Sequence, residues 1–217
     1  MQDIAKLIAG FRQFQNNYFQ GDNELFSQLK KGQQPKTLII ACSDSRVDPS
    51  LLTRSEPGDI FVVRNVANLV PPYEPDAHYH GVSSALEYAV CHLQVEHIIV
   101  LGHSQCGGIA GLMNSECECD LGEFIGRWIT IAAPAKEQVK QQLPEKSIEL
   151  QTRACEQAAI MLSIDNLLSF PWIQQRVQEK KLFLHGWYFD IQRGELLRYS
   201  PEDRCYVALV PEKLIDS

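Results

Sequence analysis

A chain of 217 residues that is 45% hydrophobic and 22% charged has the makeup of one globular domain and excludes intrinsic disorder, which needs few apolar residues and a large net charge. Its 20 basic against 27 acidic residues leave a formal charge of -7, which argues against a nucleic-acid partner, because binding a phosphate backbone rests on clustered lysine and arginine. Seven cysteines, an odd number, and an opening Met1-Gln2-Asp3-Ile4-Ala5-Lys6 without a basic-then-apolar leader point to a reducing, cytoplasmic setting in which thiols are core residues, metal ligands or nucleophiles. No apolar run approaches the roughly 18 residues that a membrane span needs, so no membrane partner is expected.

The pattern is that of a single domain over 1–217, with a helical arm at 1–31 and an α/β core at 37–199. In the arm, Ile4, Leu7, Ile8, Phe11 and Phe14 recur at helical spacing, as do Leu25, Phe26 and Leu29 after a Gly21-Asp22-Asn23 break, which predicts two short helices. Thr37 to Ala41 reads as a buried strand that ends at Cys42, Ile60 to Val63 as a second, and His97 to Leu101 as a third, closed by Gly102. Between the last two, Val82, Ala85, Leu86, Ala89 and Val90 predict a helix over 81–93. A short helix follows Gly107-Gly108, and longer helices are expected near 121–142 and 147–168. A fourth strand fits 181–191, with 195–199 pairing back across Arg193-Gly194. Strands alternating with helices predict a mostly parallel central sheet flanked by helices.

Two motifs follow predicted strands directly: Cys42-Ser43-Asp44-Ser45-Arg46, and Gly102-His103-Ser104-Gln105-Cys106-Gly107-Gly108. Sites in open α/β sheets lie beyond the carboxyl ends of strands, so adjacent strands would unite Cys42, Asp44, His103 and Cys106. Alone, each cysteine would be a small core residue, His103 a satisfied polar group and Gly107-Gly108 a turn. Together they form a zinc-type donor set of two thiolates and an imidazole with one exchangeable position. Arg46 can take the Asp44 carboxylate in a bidentate pair, which leaves Asp44 either ligand or bystander.

These motifs resemble the β-class carbonic anhydrases, and the similarity continues through PGDIFVVRNVANLVPPY (Pro57 to Tyr73) and Ala85 to Val90, over residues 20 to 190. The resemblance implies one zinc per chain on Cys42, His103 and Cys106, with Asp44 as alternate ligand and Arg46 as its partner. One branch carries Trp-x-Gly before the first zinc cysteine and a second, inhibitory bicarbonate pocket. This chain has Ile39-Ile40-Ala41 there. Gln33, Phe61 and Tyr88 match the plant-type branch, which implies an open site and no second pocket built on that tryptophan.

The implied reaction is reversible hydration of carbon dioxide to bicarbonate and a proton by hydroxide on zinc. Asp44 would orient the nucleophile, Gln33 and the Gly107 N–H would meet substrate oxygens, and Phe61, Val66 and Tyr88 would form an apolar wall. In the family the pocket draws on two subunits, so a homodimer or higher even oligomer is implied. Two alternatives remain open: hydrolysis of carbon disulfide or carbonyl sulfide on the same site, or a non-catalytic zinc-stabilised module. Cys117 and Cys119 read as an exposed acidic loop, His78 and His80 as solvated loop histidines, Cys91, Cys155 and Cys205 as packing residues, and His185 as a satisfied strand histidine.

Overall fold

A computed structural model describes residues 2–20, 24–76 and 78–210. The chain divides into two compact units, residues 1–34 and 35–217.

The first unit holds α1 (Gln2–Phe19) and α2 (Leu25–Leu29). Phe14, Tyr18, Phe19 and Phe26 cluster where the helices meet, with ring centroids 4.6 Å apart for Phe19 and Phe26 and 4.9 Å for Phe14 and Tyr18. Ile4, Leu7, Ile8 and Phe11 lie on α1 at helical spacing and are exposed. The expected Gly21-Asp22-Asn23 break lies outside the described residues.

The second unit is built on a six-stranded sheet in the order β2-β1-β3-β4-β5-β6. Strands β1 (Thr37–Cys42), β2 (Ile60–Asn65), β3 (His97–His103) and β4 (Phe183–Asp190) run parallel, and β5 (Glu195–Ser200) and β6 (Cys205–Ala208) complete it in antiparallel fashion. Helices α3 (Pro49–Thr53), α4 (Gly81–Glu87), α5 (Gly107–Asn114), α6 (Ile125–Ile129), α7 (Ala133–Gln142), α8 (Ile148–Leu168) and α9 (Pro171–Gln178) surround it. The α/β class expected from alternating strand and helix patterns is observed. Continuous apolar runs such as Leu38 to Ala41 and Ile98 to Leu101 are buried, as strands covered on both faces must be.

Local differences from the sequence expectation have identifiable causes. The single helix expected near 121–142 is two, because Pro134 supplies no N–H to continue α6 and instead sits in the first turn of α7. The five-residue α3 is too short to show a period, and its Asp48 cap accepts the N–H groups of Ser50 and Leu51. Helix α9 and the edge strand β6 were not anticipated either. Strand β3 runs on to His103 rather than closing at Gly102, whose absent side chain has a packing purpose. A Cβ there would lie 2.6 Å from the Ile160 side chain, so glycine lets α8 approach the sheet.

One apolar layer, with Leu86, Val90, Ile160, Leu167 and Phe170, fills the space between the sheet and α4, α8 and α9. A second, with Ile109, Leu112, Ile129 and Val139, joins α5, α6 and α7 to the carboxyl ends of the strands, and includes Cys42 and Cys106. The chain leaves β1 toward β2 on one side and returns to β3 on the other, so the strand order reverses between β1 and β3. Binding sites of open α/β sheets form at such a reversal.

Candidate active site

Cys42 ends β1 and His103 ends β3, with Ala41 paired to Leu101. Cys106 stands at the N-cap of α5. All three are buried, and one ligand atom from each lies within 4.8 Å of the other two. His103 Nδ1–H donates to the Ser104 carbonyl at 2.9 Å, which leaves Nε2 as the unprotonated nitrogen. That nitrogen is buried with no hydrogen-bond partner. A buried imidazole lone pair facing two thiols is an unmet ligand position. The set therefore fits zinc, which takes thiolate and imidazole donors in a compact shell and relies on an outer hydrogen bond to orient its histidine. The hydrogen bond between the two thiols holds Cys42 well below the usual thiol range and drives Cys106 up.

The first motif is fixed by two arginines. Arg46 reaches Asp44 through Nε to Oδ1 at 2.9 Å and Nη2 to Oδ2 at 2.7 Å, and its backbone N–H also donates to Oδ1. These bonds hold the Asp44 carboxyl well below the ordinary carboxylate range. Arg46 also donates to the Gln105 carbonyl at 3.0 Å, and Gln105 takes a left-handed φ of 59°. The two motifs are thereby tied to each other. Arg64, on β2, donates to the carbonyls of Cys42 and Asp44 and to the Asp48 carboxylate at 2.7–2.9 Å. The sequence reading missed Arg64, since only strand pairing brings it beside the loop.

The turn after β2 was also missed. Ala67 and Asn68 take left-handed φ values of 64° and 48°, and the Asn65 side chain closes the turn by bonding both the N–H and the carbonyl of Leu69. This conformation, uncommon outside glycine, lets the Ala67 backbone support a Cys42 thiolate. Val66 stands in the same turn, and its carbonyl accepts the Trp128 indole N–H at 2.8 Å. Gly108 meets this turn closely: a Cβ would lie 2.8 Å from Val66 Cγ1 and 3.1 Å from Ala67 Cβ. Gly108→Ala is therefore expected to destabilise the fold by about 1–3 kcal/mol through overpacking, whereas Gly107→Ala, with open space at that position, should not. Urea melts of the two variants check this.

The remaining expected site residues are not all together. Gly107 lies beside the cluster, exposed in the first turn of α5. Phe61 and Tyr88 contact each other with ring centroids 5.9 Å apart. Phe61 pairs with Leu38, however, four residues before Cys42, a displacement of about 13 Å along the strand. The two rings cannot wall the cluster of their own chain. Gln33 belongs to the first unit and is exposed.

Elsewhere, Cys155 is fully buried and its thiol is pushed up to about 12 by burial. Cys91 and Cys205 are exposed, contrary to the packing role expected of them. They occupy the helical segment 88–92 that continues α4 and the first residue of the edge strand β6. Cys117 is exposed and disulfide-bonded, a departure from the all-thiol expectation; the side chain of Cys119 lies outside the described residues. His80 Nε2 lies 2.6 Å from Asp76 in an exposed loop. His185 is half-buried, with Nε2 3.1 Å from His97 Nδ1.

A family model described as carbonic anhydrase matches residues 37–196. Beta carbonic anhydrase 3 of Arabidopsis thaliana is 43% identical over 193 residues, covering 88% of this chain and 74% of that protein. The same plant's beta carbonic anhydrase 5, chloroplastic, is 43% identical over 180 residues, which cover 83% of this chain and 59% of that protein. Among solved structures, the beta-carbonic anhydrase CcaA superposes with a TM-score of 0.87 at 37% identity, over 95% of this chain and 99% of its own. A tetrameric beta-carbonic anhydrase from Sordaria macrospora gives 0.76 at 30% identity, over 95% and 96% of the two chains.

Proposed function

The chain belongs to the plant-type β-class carbonic anhydrases, enzymes that hydrate carbon dioxide, and we propose that it does so at a zinc ion held by Cys42, His103 and Cys106. The observation that carries the zinc reading is the buried His103 Nε2, unpartnered and within 4.8 Å of the ligand atoms of two buried cysteines. Zinc in such a set would supply a Lewis acid that generates hydroxide, a weaker one than a three-histidine site because two thiolates donate more charge to it.

The protein's own groups do the rest. Asp44, gripped on both oxygens by Arg46, retains a lone pair on Oδ2 to accept the nucleophile's hydrogen and direct its attack. Gly107 presents its backbone at the start of α5, where helix N–H groups lack intrahelical acceptors and can meet a developing negative oxygen. Val66 contributes apolar surface from the turn beside the cluster.

The aromatic wall of Phe61 and Tyr88 serves the site of a second copy. Supporting this is their own position: two rings in mutual contact, Tyr88 46% exposed, about 13 Å along the sheet from the cysteine they would otherwise serve. A homodimer or higher even oligomer follows from that reading. Among the described residues no helix is long and apolar enough to cross a membrane. A cytoplasmic location is part of the proposal.

Stopped-flow hydration of carbon dioxide with a pH indicator, on protein whose zinc is quantified, tests it. About one zinc per chain with rapid hydration is expected. Zinc at that level with no hydration at any pH would leave a metal-stabilised module instead.

A further inference from the structure

Glu156 is a charged residue only 4% exposed, in the middle of α8, and no part of the reaction above uses it. Its Oε1 accepts the Cys106 backbone N–H at 2.9 Å, and its Oε2 accepts the Tyr188 hydroxyl at 2.7 Å. Tyr188 is itself fully buried on β4. A buried carboxylate is costly unless its oxygens are hydrogen-bonded, and here both oxygens are.

The bond to Cys106 matters for direction. Cys106 caps α5 in an extended conformation (φ -70°, ψ 117°); its ligand atom lies with those of Cys42 and His103, while its N–H is taken by Glu156. Helix α5 provides no acceptor for that N–H. An acceptor behind the residue therefore determines the rotation of the peptide that carries the ligand. The neighbouring Ser104 is tied down in the same manner: its N–H donates to the Phe189 carbonyl at 3.0 Å, and its hydroxyl accepts the Ile191 N–H at 2.8 Å. Asp190 next to it is paired with Arg153, one turn before Glu156 on α8, at 2.7 Å. The 104–106 turn is thus held from behind by α8 and the end of β4.

We propose that Glu156 is a positioning residue of the metal centre, whose carboxylate, by accepting the Cys106 N–H, aims the Cys106 sulfur into the ligand set. The proposal rests on the zinc reading above. Outer-shell partners of metal ligands contribute about 10–100-fold to metal affinity, and that is the scale expected here.

The test measures zinc retention against a chelator and the visible spectrum of the cobalt-substituted protein, whose thiolate charge-transfer bands report ligand geometry. Glu156→Leu combined with Tyr188→Phe removes the acceptor without orphaning the tyrosine hydroxyl. It should weaken zinc binding about 10–100-fold and shift the cobalt bands. Tyr188→Phe alone keeps the acceptor and should do neither, even if it melts earlier. Glu156→Gln keeps an oxygen for the N–H and an amide donor for Tyr188, and should restore native retention. If the double variant does not fold, Glu156→Asp carries the test, since it withdraws the acceptor by one methylene with its charge intact and should weaken retention. Native retention and native cobalt bands in the acceptor-free or shortened variant would overturn the proposal, as would Glu156→Gln behaving like the acceptor-free protein. Failure of the unaltered protein to take up zinc would overturn the zinc reading itself, and this proposal with it.

Discussion

Cys106→Ala is expected to abolish zinc retention and to lower carbon dioxide hydration by on the order of 10³-fold or more, because under the zinc reading the metal would supply both the nucleophile and the charge stabilisation. Cys106 is 1% exposed, and among the described residues its sulfur is one of three ligand atoms brought together within 4.8 Å. Loss of that sulfur leaves one thiolate and one imidazole, too few for a closed zinc shell that still keeps an exchangeable position. The fold should tolerate the change better than the chemistry does. Alanine is only slightly smaller, the Cys106 N–H keeps its acceptor in Glu156, and the surrounding apolar layer is otherwise intact. Zinc quantification, hydration rate and thermal melt on one preparation separate these effects. A variant that keeps its zinc would refute the ligand assignment.

Asp44→Asn is expected to do the reverse: zinc stays while hydration falls by about 10²-fold, the scale of a misdirected reacting group. Asparagine keeps the size but loses the charge, so the bidentate grip of Arg46 weakens and the nucleophile loses its fixed acceptor. The pH dependence has a definite sign. Arg46 depresses the folded Asp44 pKa, so the stabilisation from this pair is fully present above the unfolded value of about 3.9 and is lost only as pH falls toward the lower folded value. Asp44 is therefore ionised throughout the working range and cannot be the group whose titration shapes the rate profile. That profile should rise toward alkaline pH in both proteins, because two thiolates make zinc a weaker acid than a three-histidine site, whose water titrates near about 7. A profile flat from neutral to alkaline pH, or one displaced in Asp44→Asn, contradicts this account.

The two motifs were legible because each is local. A buried apolar run followed at once by Cys42 or His103 says that the side chain sits where a strand ends, and the strand order then brings the two ends together. Two thiolates and an imidazole are the donor types that favour zinc. Pro134 was legible in principle as a helix break, yet apolar spacing on both sides of it suggested continuity. Helix α3 and strand β6 were too short to carry a period at all.

By itself the sequence determined the α/β class and offered a zinc-type donor set, with Asp44 placed within reach of Arg46 as either ligand or bystander, since these depend on strand patterning and on residues within a few positions of one another. Only the tertiary structure decided what surrounds them. Glu156 meets Cys106 across 50 positions and Arg64 meets Asp44 across 20, and nothing in the neighbouring sequence of either residue signals the encounter. The separation of Phe61 and Tyr88 from their own cluster was likewise invisible, although both residues were noted, because it is a matter of register along β1 and β2. Local pattern states which side chains a chain can offer. Distance and direction between them are set by packing, which follows from the whole core at once.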